Sequence, residues 1–432
     1  MVKKYLDCLL TDREAVHEES DAITYPVLTL PVEIISQIFW WTLPSGGPKL
    51  NSQLVEPLSL GQICRIWRQI ALSTPALWST FHIELDHRFQ EKYLFLTRTF
   101  LSRAASMPLS FSVKTEAFMD DIGDVENIIL HTLASHSQAW ENINFTTSPK
   151  ALDMLHTVRN QLPRLRTLEL ILDFPPESGS MFADAPLLRR VRLSRFGAQK
   201  LALPWHQLTS AHLDYLHKIH LAEIIRSIPN LVNLIVGDVY GTSVHVDQIP
   251  SPNLRFILLP GFFPRNDILS FICAPQLEEL KIFLSPTSPY VLPLANPASM
   301  QRLSLIFLTS CIENPFVQCL TPMPSIRTLK IVAINCTPFH LLVAQLTEDL
   351  DFIPELQSLT FIALNDAMSL NIDTLTDMLY ARRHSLLYFE IRSRSPLPDL
   401  NLRARELAAK GMEIILSDVL HVLDYDFGRP EF

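Results

Sequence analysis

PRLRTLEL at 163–170, PNLRFILL at 252–259 and PQLEELKI at 275–282 share one frame, P-x-L-x-x-L-x-L with an aliphatic last position. PLLRRVRL at 186–193, PNLVNLIV at 229–236 and PSIRTLKI at 324–331 keep it with aliphatic substitutions, and PELQSLTF at 354–361 ends on an aromatic. Looser copies start their apolar triplets at Leu208, Met300 and Leu386. The first apolar positions then fall at 165, 188, 208, 231, 254, 277, 300, 326, 356 and 386, in steps of 20 to 30 residues. The end of each copy alternates apolar and polar residues, the pattern of a short strand with one side buried. Between copies lie helix-patterned stretches at 151–162, 220–228 and 371–384. A single strand–arm unit buries too little surface to stand alone, so the units are expected to stack with parallel strands along one edge.

A period of this length over ten copies resembles a leucine-rich-repeat array. The frame extends upstream through Trp78, Phe81 and Ile83, through Leu109, Phe111 and Val113 after a helix at 89–104, and through Trp140, Ile143 and Phe145. Downstream, 402–416 reads as a last helix, a turn at Gly411 and a last strand that closes the stack. The expected fold is α/β: a small helical domain followed by a solenoid, strands on the concave side and helices or irregular arms on the convex side. The expected divisions are a charged helix or arm at 1–22, the helical domain at 23–75, the solenoid at 76–425 and a tail at 426–432.

Composition agrees with stacked units. The 432 residues are 48% apolar and 19% charged, with 31 Pro and only 11 Gly. The Pro excess partly reflects the P-x-L that introduces many copies, and a mostly disordered chain is excluded by the aliphatic content. A net charge of -9 does not fit a general nucleic-acid binder. No run of 18 apolar residues occurs, and Asp7, Asp12, Arg13 and Glu14 interrupt any signal-peptide core. The chain is therefore expected to be soluble, without a membrane partner, and cytoplasmic or nuclear. Six cysteines, Cys8, Cys64, Cys273, Cys311, Cys319 and Cys336, are too few and too scattered for a disulfide framework or a zinc knuckle.

The helical block opens with Leu30-Pro31-Val32-Glu33-Ile34-Ile35-Ser36-Gln37-Ile38-Phe39. Pro31 suits a first turn, Glu33 complements the helix dipole, and Ile34, Ile35, Ile38 and Phe39 recur at helical spacing as one apolar face. Ser45-Gly46-Gly47-Pro48 is a breaker cluster, read as a mobile loop. A second helix is expected from Leu58, with Leu60, Ile63, Cys64, Trp67, Ile70 and Ala71 on one side, ending at Pro75.

In order, Leu30-Pro31-x-Glu33-Ile34, Ile38-Phe39, Cys64-Arg65-Ile66-Trp67-Arg68 and Leu72-Ser73-Thr74-Pro75-Ala76-Leu77-Trp78-Ser79 resemble the F-box, and more narrowly the fungal, mushroom-type F-box-like proteins with degenerate leucine-rich tails. That resemblance implies a substrate-recognition adaptor of a Skp1–cullin–F-box ubiquitin ligase. The box would bind a Skp1-like adaptor, and through it cullin and RING subunits. Leu30, Pro31, Glu33, Ile34 and Ile38, with Leu58, Ile63, Cys64 and Trp67, are the implied Skp1-contact candidates. The stretch Ser45–Glu56 lengthens the usual connection, which is why a non-catalytic interaction scaffold without a cullin stands as the alternative.

The positions between the repeat leucines are expected to face outward and to meet an unknown protein substrate. They give a basic patch at Arg189, Arg190 and Arg192, a mixed one at Glu278, Glu279 and Lys281, and a basic one at Arg327 and Lys330. Ile235, Phe256 and Leu258 are expected to be exposed apolar contacts. No GxGxxG, P-loop, GxSxG or HExxH motif occurs, so neither a cofactor nor intrinsic catalysis is expected. The acidic residues Asp120, Asp121, Asp124 and Glu126 read as the cap of a helix starting near 125.

Overall fold

A computed structural model describes residues 26–52, 55–85, 90–115, 124–172, 179–195, 201–241, 245–260, 266–284, 292–307, 316–334, 337–364, 372–393 and 402–418. Expectations for 1–22, Cys8, Cys311, Cys336, Asp120, Asp121 and 426–432 lie outside these residues. The fold is mixed α/β, and the chain divides into two compact units, Met1–Val158 and Arg159–Phe432.

The first unit begins with helix α1 (Val32–Thr42), whose first turn carries Glu33 and whose start is closed by the N–H groups of Ile34 and Ile35 donating to the Pro31 carbonyl. The second helical stretch is not one helix. Cys64 is extended (φ -152°, ψ 171°) and divides it into α2 (Leu60–Ile63) and α3 (Arg65–Ser73). The Cys64 thiol accepts from the Trp67 N–H at 3.4 Å, capping α3 as a hydroxyl would. The break rotates Ile63 away from the side that Ile70 and Ala71 bury.

Three parallel strands follow, β1 (Thr80–Glu84), β2 (Leu109–Lys114) and β3 (Trp140–Thr147), with helices α4 (Gln90–Ala104) and α5 (Asp124–Ala134) in the connections. Alternation decides their inner face: Phe81, Ile83, Phe111, Val113, Ile143 and Phe145 are all buried. The indole N–H groups of Trp78 and Trp140 each reach back seven residues, to the Ala71 and Leu133 carbonyls, and lock each strand to the helix before it.

The breaker cluster is not a loose loop. Pro48–Leu50 lies along the outer edge of β1: His82 N–H donates to Pro48 O at 2.9 Å and Leu50 N–H to His82 O at 2.8 Å. Leu50 is fully buried beneath this strap. Gly47 makes the approach possible, since it has φ +97° and a Cβ there would sit 2.8 Å from the Thr80 backbone.

Among the described residues the main sheet of the second unit carries eleven parallel strands in chain order: β4 (Thr167–Leu172), β5 (Arg190–Ser194), β6 (Ser210–Asp214), β7 (Asn233–Val236), β8 (Phe256–Leu259), β9 (Glu279–Leu284), β10 (Arg302–Phe307), β11 (Thr328–Ala333), β12 (Ser358–Ala363), β13 (Tyr388–Ser393) and β14 (Glu413–Asp418). Each pairs in register with the next, and the first repeat leucine of each copy is buried. The last three arms contain helices α6 (Thr337–Glu348), α7 (Ile372–Ala381) and α8 (Leu402–Ala409), which pack side by side. Gly411 turns at φ +106° into β14, as the sequence predicts.

Two devices join neighbouring copies. The Asn230, Asn253 and Asn296 amides donate to carbonyls of the preceding copy, at His206, Pro229 and Pro275. Buried Arg382, just after α7, donates to five carbonyls at Leu346, Asp349, Leu350, Phe352 and Ile353, closing the end of α6 and the turn after it. Burial pulls its pKa down while Asp349 and Asp351 hold it up.

Candidate functional site

The helical block has a small core. Ile35 and Phe39 of α1 are buried against Ile70 and Ala71 of α3, and Phe39 meets the Trp67 ring edge-on at 4.9 Å. Trp67 packs on that core through Phe39, and none of the nine contact candidates is fully buried. Leu30, Pro31, Glu33, Ile34 and Ile63 are exposed, and Ile38, Leu58, Cys64 and Trp67 are half-buried. The single apolar face expected of α1 therefore splits: Ile35 and Phe39 point inward, and Ile34 lies outward at 44% exposure.

The exposed set is larger than the sequence pattern indicates. Val32, Trp40 and Trp41 on α1 and Ile66 and Leu72 on α3 are open as well, with Trp41 at 68% and Ile63 at 62%. Burying an aliphatic side chain of this size is worth about 1.5–3 kcal/mol, so these two short helices leave a sizeable hydrophobic gain unrealised among the described residues. The Trp67 indole nitrogen is buried and meets no hydrogen-bond partner among the described residues. Two adjacent tryptophans at the end of a helix, ahead of a breaker cluster, were the signal available for Trp40 and Trp41. Helical periodicity alone assigns them no role.

The outward face of β1–β3 is polar. In register across the strands stand Thr80, Ser110 and Asn142, then His82, Ser112 and Asn144, then Glu84, Lys114 and Thr146. His82 Nδ1 lies 2.6 Å from Ser112 Oγ, and Asn142 donates to Ser110 Oγ at 2.9 Å. Burial lowers the His82 pKa most, the nearby Lys49 lowers it further, and a hydrogen bond to the Gly46 backbone works the other way. Lys114 bonds Glu84 at 2.6 Å and thereby holds the carboxyl below its usual value.

In the second unit the outward side chains pair rather than form patches of one sign. Arg192 lies 3.7 Å from Glu169, and Arg189 folds back on the Pro186 and Leu188 carbonyls, while half-buried Arg190 stands in register between Thr167 and Ser210. Glu278 pairs with Arg255, Arg327 with Glu355, and Glu279 with both Lys281 and Arg302. Lys330 is flanked in register by Ser304 and Thr360.

The exposed apolar contacts need correction. Ile235 is 2% exposed and Leu258 6%, and Phe256 is half-buried. They do alternate with the core leucines, but outward is not the same as exposed. Ile235 and Leu258 are direct cross-strand neighbours and cover each other, and the Lys281 ammonium lies over the Phe256 ring at 5.5 Å. One position further along, Ile306, Val332 and Ile362 form another buried cluster with Phe283 and Leu364.

Of the ten repeat-face candidates, Glu278 and Arg327 come together. They line a cleft of about 360 Å³ with Gln276, Gln301, Ser325 and Glu355, at the amino ends of β9 to β12. Sequence reasoning named Glu278 and Arg327 from this row and missed Gln276, Gln301, Ser325 and Glu355, which lie before the strands and outside the alternation that identifies outward positions. Among the described residues no group of three or more His, Cys, Asp or Glu side chains is placed to hold a metal, and no helix is long and apolar enough to cross a membrane. Cys64 and Cys273 are half-buried, and Cys319 is buried, with its thiol pushed up to about 12 by desolvation. No family model matches the chain, and no curated protein matches it either.

Proposed function

We propose that the chain is a substrate-recognition adaptor of a Skp1–cullin–F-box ubiquitin ligase, acting in the cytoplasm or nucleus. Its helical block takes the part of the F-box, and its second unit that of a leucine-rich-repeat array that holds a target protein. The observation that carries this reading is the exposed apolar surface of Leu30, Ile34 and Ile63, which the block's own core of Ile35, Phe39 and Ile70 leaves uncovered. Those three lie on the motif that resembles the F-box. The adaptor needs no catalytic group of its own, because ubiquitin transfer belongs to the partner subunits.

Pull-down with purified Skp1 tests the proposal. The intact chain binds, and Leu30→Ala/Ile34→Ala loses about 2–4 kcal/mol of affinity with an unchanged melting temperature, because both side chains are exposed. A well-folded intact chain that retains no Skp1 sinks the reading.

A second reading, a scaffold without a cullin in which the block caps the strands, is favoured by the strap of Pro48–Leu50 on β1. Co-isolation of cullin and RING subunits with the chain decides against it.

A further inference from the structure

We propose that Tyr215, His217 and Tyr240, with Arg195 beside them, form a binding site for a proline-rich segment of a protein partner in the polyproline II conformation. The inference rests on the reading that the second unit holds a protein partner, and it names the chemistry of that partner.

The site stands where β5, β6 and β7 end. Two short strands, Leu216–His217 and Val239–Tyr240, pair in parallel as a sheet of their own, with His217 in register with Tyr240. A strand ladder therefore fixes these rings. The Tyr240 ring meets the His217 ring at 5.4 Å and the Tyr215 ring at 6.0 Å, and the two tyrosine planes diverge by 55°. Arg195 and Tyr215 directly follow β5 and β6, both with positive φ (+63° and +54°), a costly conformation for bulky residues that is found mostly where a site requires it. The Arg195 guanidinium lies over the Tyr215 ring at 4.7 Å. Tyr215 is nevertheless 49% exposed and Tyr240 53%, and among the described residues neither hydroxyl meets a hydrogen-bond partner.

The surroundings favour an uncharged occupant. Asp214 already accepts from the Asp238 N–H at 2.6 Å, and Glu223 lies 3.3 Å from His220. Arg195 repels an incoming cation from the Tyr215 ring, and an acidic side chain would meet the flanking carboxylates. The polar groups that the rings offer can donate: two phenol O–H groups, and the Nε2–H of His217, whose Nδ1 accepts from the Ile219 N–H at 3.3 Å. A proline-rich segment complements them. It sets pyrrolidine rings against aromatic faces, turns carbonyls toward donors, and has no N–H at proline that needs an acceptor. Its rise over two residues, about 6 Å, matches the separation of the tyrosine rings, and its preset conformation leaves little entropy to lose.

The test uses the full chain and labelled peptides of equal length, read by fluorescence anisotropy. One alternates alanine and proline, one alternates serine and glycine, and two are serine-glycine peptides that carry glutamates or lysines. The proline peptide is expected to bind about tenfold more tightly than the other three, and Tyr215→Asn/Tyr240→Ala to remove that preference with an unaltered melting temperature. Asparagine is chosen at 215 because it tolerates the left-handed region. Tyr380→Ala and Phe95→Ala remove exposed rings elsewhere, at 44% and 69% exposure, and should leave binding unchanged. Binding of the proline peptide no tighter than the serine-glycine peptide overturns the proposal. So does an equal loss in the Tyr380 or Phe95 variant, a preference that survives in Tyr215→Asn/Tyr240→Ala, or tighter binding of the glutamate or lysine peptide, which assigns a charged occupant. Skp1 pull-down on the same proteins separates the two readings: a ring variant that loses the proline peptide but keeps Skp1 supports the ring site, whereas failure of the intact chain to hold Skp1 removes the adaptor reading and leaves the peptide result standing.

Discussion

The outward faces of β1–β3 and of β9–β12 use the same parallel strand repeat and fill it with opposite chemistry. On β1–β3 every outward position is polar and three cross-strand contacts are hydrogen bonds or an ion pair. On β9–β12 the first outward positions carry charges and hydroxyls, and the third carries Phe283, Ile306, Val332 and Ile362, the last three buried. The difference teaches that an outward face is available to partners only along the part that the fold does not need for itself. In the second unit that part is the amino-terminal half of each strand and the row before it.

Substitutions test this division most sharply where the face is buried. Ile362→Ala, at 0% exposure, should cost about 3 kcal/mol in urea unfolding, as a core truncation does, although the residue lies opposite the repeat leucines. A loss below about 1 kcal/mol would show that the third outward position is not core. Gly47→Ala should cost about 2 kcal/mol, because it combines an unfavourable φ of +97° with a contact against the Thr80 backbone, and faster hydrogen exchange at Leu50 and His82 should accompany the loss. His82 should give a smaller, pH-dependent effect. Its pKa is lowered in the fold, so the unfolded chain binds the proton more readily. The contribution is therefore complete above the ordinary value of 6.5 and declines as pH falls below it. Thermal midpoints measured from pH 7.5 down to 5.5 should fall less steeply in His82→Gln than in the parent chain. Smallest of all, Lys114→Met should change stability by less than about 0.5 kcal/mol and only at low salt, since the Lys114–Glu84 pair is exposed on both sides.

Much of the strand ladder was legible because apolar residues must recur where strands stack. Leu165, Leu188, Leu208, Leu231, Leu254, Leu277, Met300, Ile326, Leu356 and Leu386 are all buried at the predicted positions. The closing helix, turn and strand at 402–418 were legible for the same reason. What the pattern does not carry is neighbour identity. Ile235 and Leu258 cover each other across strands 23 residues apart in sequence, and alternation sees only their own strand. The break at Cys64 was hidden because a thiol is not read as a cap, and helical spacing runs through it without a gap. Arg382 looks like a surface charge in ARRH, and only the stacking of α7 on α6 supplies its five carbonyl partners. The contact candidates of the helical block follow from its motif, whereas the exposure of Trp40, Trp41 and Ile66 depends on which side of a short helix the core occupies.

The strap of Pro48–Leu50 has a mechanical meaning. A domain joined by a flexible tether explores a volume that grows with tether length, and anything it carries is diluted through that volume. Here the connection between α1 and α2 is stitched to β1 on the way, with Asn51 reaching Glu84 and Lys92 reaching Ser52 beyond the stitch. A molecule seated on α1 and α3 is thereby held at one distance and one orientation from β1–β3. Its local concentration there is set by a fixed geometry, and insertions within the connection would lengthen the loop without loosening that reference.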